Sequence, residues 1–200
     1  MLTEYIDSCK CIRMATTTMV NTFLPYASLE ATTRVLDFRR LGKQRVEAWQ
    51  IWNVLRRAEE VHPPSAGLGD ATWDAKRAWA EEAARLWKKA TGKRLGWATH
   101  PAVVLWVGHR DGLGLYYNAM LAGWEARGGH NRVLQPIVVP DGTTLPAWTL
   151  SAELHNAFRW KLITKELYQP VRGIREPSWY VKKIDFVLAT PVPDYVWTPK

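Results

Sequence analysis

The sequence predicts an all-α protein, a single compact helical domain with long ordered loops. Apolar residues recur at spacings of three to five in several separate segments. Only one short run, Ile137-Val138-Val139, looks like a strand, and one run cannot build a sheet. Glycine and proline clusters punctuate the chain where helices would have to stop.

Taken in order, residues 1–20 hold Met1, Met14, Met19 and the threonines 16–18 without sustained periodicity, and read as a flexible extension ahead of a helical domain over residues 21–200. Asn21-Thr22-Phe23-Leu24-Pro25-Tyr26 reads as an extended entry closed by proline. Ser28 offers a cap to a short helix over residues 29–35. Leu41, Val46, Trp49, Trp52 and Leu55 give the most convincing buried stripe and predict the strongest helix, which the breakers of residues 62–69 end. Asp70 or Thr72 caps an amphipathic helix with Trp79, Ala83, Leu86 and Trp87 inward, Lys76, Glu81, Glu82, Arg85, Lys88 and Lys89 outward, and Gly92 as its stop. After the connector Gly96-Trp97-Ala98-Thr99-His100-Pro101, an apolar region opens at Val103, and a helix over residues 113–126 ends at Gly128-Gly129. Residues 137–142 read as an ordered loop. Leu150 and Ser151 introduce a helix over residues 152–167 with Leu154, Phe158, Leu162 and Ile163 on one face. From Gln169 onward the prolines predict irregular chain wrapping the surface.

At 200 residues, 47% hydrophobic and 23% charged, the chain has the composition of one globular core. Its 27 lysines and arginines against 19 carboxylates give a formal net charge of +8, which favours a polyanionic partner, nucleic acid first. No apolar run approaches the roughly 20 residues of a membrane helix, and Glu4, Asp7, Lys10 and Arg13 interrupt the opening stretch. A cytoplasmic protein is expected. Cys9 and Cys11 are too close for an ordinary disulfide and lack further zinc ligands, so no metal or cofactor is expected.

Arg39, Arg40, Lys43 and Arg45 open the strongest helix beside Asp37, Gln44 and Glu47. Such a cluster can neutralise several phosphates, although Lys43 and Glu47 at i,i+4 also suit a plain surface ion pair. Glu47, next to Val46 and Trp49, is the first candidate for acid–base work, and Asp37 competes but sits where a helix cap belongs. Among 12 tryptophans, Trp49, Trp52, Trp79, Trp87, Trp106 and Trp124 fall on helical stripes and read as core. Trp97, Trp179 and Tyr180, the latter two ahead of Lys182 and Lys183, are candidates to stack on bases or wedge into a duplex. His100 can donate to phosphate. His155 and Arg159, four apart, can form an anion-binding pair, with a core hydrogen bond the competing role for His155. The chain has no P-loop, Rossmann fingerprint or nucleophile-elbow serine.

Thr22-Phe23-Leu24-Pro25-Tyr26, Leu36-Asp37-Phe38-Arg39-Arg40-Leu41-Gly42-Lys43-Gln44-Arg45-Val46-Glu47, Gly96-Trp97-Ala98-Thr99-His100-Pro101 and Pro177-Ser178-Trp179-Tyr180, in that order, resemble the pyrimidine-dimer DNA glycosylases of the phage endonuclease V type. The resemblance implies an all-helical, metal-free enzyme that acts on double-stranded DNA, cuts the glycosidic bond of a damaged pyrimidine and, in bifunctional members, nicks the strand. It also implies a terminal α-amine as nucleophile, with Thr22 matching the family's terminal threonine, and Glu47 as the glutamate that stabilises the sugar cation and handles protons.

Two departures qualify that picture. Twenty-one residues precede Thr22, so its nitrogen is a peptide amide; a translation start at Met19, leaving Val20 or Asn21 near the site, or at Met14, leaving Ala15, would supply a different terminal amine. A fold-back of the extension, or a monofunctional enzyme in which Glu47 or Asp37 activates water, are the other readings. Val46 and Gln50 stand where the family prototype has phosphate-gripping arginines, and residues 57–95 enlarge a connector. The substrate expected on that basis is a damaged pyrimidine or a hypermodified cytosine of foreign DNA, flipped from the stack by a monomeric enzyme. A basic DNA-binding module without chemistry is the non-enzymatic alternative.

Overall fold

The longest helix, α2 (Phe38–Val61), is the one against which three of the other described helices pack. The computed structural model describes residues 22–168, with side chains as far as Leu162. Within that span lie α1 (Leu29–Val35), α2, α3 (Trp73–Thr91), α4 (Pro101–Leu105), α5 (Arg110–Glu125) and α6 (Ala152–Tyr168), joined by loops and two short 3-10 turns, with no strand among the described residues. The all-α expectation holds. The extension over residues 1–20, Asn21, Trp179, Tyr180, Lys182 and Lys183 lie outside the described residues.

Each boundary has a local cause. Ser28 Oγ accepts from Ala31 N, Asp37 Oδ1 from Arg40 N at 2.8 Å, and Thr72 Oγ1 from Ala75 N, so three helices begin on side-chain caps. Thr72, not Asp70, caps α3, and Gly92 ends it in the left-handed conformation. At α4 the cap is an imidazole. His100 Nδ1 accepts from Ala102 N, with Pro101 in the first turn.

Leu41, Ala48, Ile51, Leu55 and Ala58 form the buried seam of α2, against α5 and α3. Each buried leucine or isoleucine there contributes about 1.5–3 kcal/mol. Leu41 and Leu55 of the predicted stripe lie in the seam, but Trp49 is 39% exposed, Val46 and Trp52 are only partly buried, and Gln44, Glu47, Ala48 and Ile51 complete the inner face. Lys76, expected on the outer face of α3, is likewise buried, and that burial pushes its ammonium below the ordinary lysine range.

α5 starts at Arg110, three residues ahead of expectation, and its C-terminal end is tied to α1. The Arg127 guanidinium donates to the carbonyls of Leu36 and Arg34, groups that the end of α1 leaves unpaired. Residues 137–142 do form a loop. The Asn118 amide pairs with both backbone groups of Ile137, each at 2.8 Å, which satisfies the chain without a neighbouring strand. At Gly108 the backbone has φ +76°, and a Cβ would lie 2.4 Å from Gly69 N, so only glycine lets these two loops meet.

Candidate active site at Glu47

Residues 44, 47 and 51 share the inner face of α2, which carries Gln44 and Glu47 into the protein. Gln44 is fully buried, and Glu47 is 5% exposed. Gln44 Oε1 accepts from Phe23 N at 2.7 Å and from the Tyr116 hydroxyl at 2.7 Å. Its nitrogen must therefore face the other way, and it donates to Glu47 Oε2 at 2.7 Å. Tyr116 comes from α5 and also reaches Phe23 O at 2.9 Å. Burial, then the charge of Glu47, holds its phenol well above the usual range, so it stays a neutral donor. The remaining carboxylate oxygen, Oε1, lies 3.4 Å from Lys43 Nζ, one helical turn back.

The entry segment is fixed to the same hub. Trp106, fully buried at the end of α4, donates from Nε1 to Thr22 Oγ1 at 2.8 Å. Phe23, next in the chain to Thr22, is thus joined to Glu47 through one amide, that of Gln44.

The predicted site residues separate into groups. Thr22, Lys43, Gln44 and Glu47 come together. Gln44, read as a DNA contact, is corrected to an internal scaffold, since full burial takes it away from any external ligand. Asp37 caps α2. Arg39 is exposed, and Arg40 lies partly buried with its guanidinium 5.5 Å from the Phe23 ring centre. Arg45, two positions from Glu47, projects from the other side of α2 and stacks 3.8 Å over the Trp124 ring. Trp97 is half exposed, and its ring lies 6.2 Å from that of His100. His155 is corrected to a core residue. It is buried with Nδ1 2.7 Å from Leu24 O, so it forms no open anion pair with Arg159, which donates to Asn156 Oδ1 and lies over Tyr26. Tyr116 and Trp106 were not foreseen in the site, because no spacing in the sequence reports contacts over 72 and 84 residues.

The sequence model of the pyrimidine dimer DNA glycosylase family matches residues 20–135, more than half of the chain. The chain belongs to that family. The matched span holds three of the four motifs and the whole Gln44–Glu47–Tyr116 hub of this glycosylase-family protein. No curated protein and no solved structure gives a significant match. Among the described residues, no helix is long and apolar enough to cross a membrane.

Proposed function

We propose that this protein excises a damaged or modified pyrimidine from double-stranded DNA, and that Glu47 is the catalytic carboxylate. The observation that carries this reading is the Gln44–Glu47 contact at 2.7 Å, which holds a buried carboxylate in one orientation beside the Thr22–Phe23 segment. As the C1′–N bond lengthens, positive charge grows on the sugar ring. A carboxylate fixed in a water-poor edge stabilises that charge more than one in bulk water. The nucleophile that bonds to C1′ must shed a proton, and Glu47 takes it and returns it to the departing base.

Within this reading the preferred target is a bulky modified pyrimidine. Val46 and Gln50 supply no charge to grip phosphate, and the enlarged connector places α3 against α2 and α4. Excision from duplexes carrying a thymine dimer is compared with excision from duplexes carrying a hypermodified cytosine. Release from the modified cytosine is expected, and release from dimers alone overturns the substrate preference. Glu47→Gln separates enzyme from binding module: the enzyme loses base release with DNA affinity retained, whereas a binding module releases no base in either form.

A further inference from the structure

We propose that the end of α3 and the loop behind it grip the phosphates of duplex DNA, at a surface outside the Glu47 site. Lys88, Lys89, Lys93 and Arg94 make the grip, and Trp97 is an apolar contact at its edge. The inference rests on the glycosylase reading above only in taking double-stranded DNA as the partner. These four cations, within residues 88–94, amount to half of the formal net charge of +8, and from Ala83 to Arg110 the chain holds no carboxylate.

α3 treats its charges in two ways. Arg77 pairs with Glu81 at 3.1 Å and Arg85 with Glu82 at 2.6 Å, so both arginines of the helix are already neutralised. The four cations at its end are all exposed, and among the described residues none has a carboxylate within ion-pair distance. Lys88 and Lys89 lie in the last turn, where a cation complements the helix dipole. That role does not extend to Lys93 and Arg94, which follow the Gly92 stop. Lys89 also stands one turn after Arg85, a like-charge spacing that weakens a helix slightly. An unneutralised cluster kept in spite of that repulsion is complementary to the phosphate backbone, which carries one charge per ~1.7 Å of duplex.

The loop holds the cluster in place. Gly92 turns the chain with φ +71°, Lys93 N donates to Thr91 Oγ1 at 3.2 Å, and Leu95 and Ala98 are buried, so the exposed residues among them stand on an anchored backbone. Trp97 is one of these, half in solvent and held at φ +67°, a conformation that bulky residues rarely adopt. Strain of that kind collects where ligands are met, and an aromatic ring displayed beside a phosphate grip suits a groove contact. α4, about 8 Å of helix, is all the chain that separates His100 from Trp106 and its bond to Thr22. The surface thus lies one short helix away from the Glu47 hub.

The test is binding of the full chain to a short undamaged duplex, followed by fluorescence anisotropy between about 50 and 200 mM salt. With Lys88→Gln, Lys89→Gln, Lys93→Gln and Arg94→Gln combined, the slope of log affinity against log salt is expected to become shallower by about two or more. Affinity at about 100 mM salt falls about 30-fold or more. Lys93→Gln with Arg94→Gln, outside the helix, gives about half that change in slope and decides the matter if the fourfold variant does not fold. Arg77→Gln with Arg85→Gln removes cations that are already paired and leaves affinity within about threefold. Trp97→Gly weakens binding about fivefold or more at unchanged slope. An unchanged slope in both lysine–arginine variants overturns the proposal, as does an equal loss from the arginine pair. Unchanged DNA affinity with lost binding to phosphatidylserine vesicles also overturns it and assigns the cluster to a membrane surface. Unchanged affinity in Trp97→Gly removes the aromatic contact. Base release by the wild type with unchanged slopes removes the surface and leaves the glycosylase. Shallower slopes beside a wild type that releases no pyrimidine remove the glycosylase reading and leave the DNA surface.

Discussion

Gln44 donates to Glu47 across 2.7 Å while its own oxygen accepts from Phe23 N and Tyr116, so one side-chain amide fixes both the carboxylate and the entry strand beside it. Gln44→Leu leaves three buried polar groups without this partner and is expected to cost about 3 kcal/mol in chemical denaturation. Gln44→Glu keeps the shape and sets two carboxyl groups together. The pair then shares a proton, and the acidic limb of base release moves to higher pH by about one unit or more. An unshifted pH profile would show that the amide does not orient Glu47.

The histidines make stability fall in mild acid. Burial holds the imidazoles of His100, His109 and His155 below their ordinary range, so the unfolded chain binds protons that the folded chain refuses. Stability is full above the unfolded value near pH 6.5 and declines as pH drops from there toward the lower folded values. The thermal midpoint is therefore expected to fall between pH 7.5 and 5.5. His155→Gln should flatten that decline, and an equal slope in the variant would contradict the assignment.

Trp97 is the one non-glycine with positive φ among the described residues, at +67°. A bulky side chain there strains the backbone by about 1–3 kcal/mol, and half of the ring lies in solvent. Trp97→Gly should raise stability by about 1 kcal/mol once glycine's own entropy cost is counted. A lower thermal midpoint would mean that contacts of the indole outweigh the strain.

Gly108→Ala is expected to act in the opposite sense. Its Cβ would meet the backbone of Gly69 at 2.4 Å, and φ is +76°. Backbone cannot move aside as a side-chain tip can, so the loops at the start of α5 must separate, at a cost of about 3 kcal/mol or more. Retained stability would show that this contact is not tight.

The helices were legible where short-range chemistry decides them. Thr72, Gly92 and Ser28 each announce a boundary through a group that pairs within four residues. The face of α2 was less legible. Trp49 is apolar yet lies toward solvent, while Gln44 occupies the inner face because Tyr116, a partner 72 residues away, satisfies its oxygen, and Gln44 in turn satisfies Glu47. Glu47 could be singled out as a carboxylate among apolar neighbours, and Lys43 as its i−4 mate. That Gln44 faces inward was hidden by its place in a basic cluster, although its spacing of three from both Leu41 and Glu47 was the available signal. The burial of His155 depends on Leu24, 131 residues away, which no local pattern carries.

The role of Glu47 as the catalytic carboxylate is tested by single-turnover base release by the wild type and by Glu47→Gln, on duplexes carrying a thymine dimer or a hypermodified cytosine, with binding measured in parallel. Release by the wild type, a fall of about 100-fold or more in the variant and affinities within threefold of each other are the expected result. Equal release by Glu47→Gln, or no release by the wild type from either duplex, would contradict it.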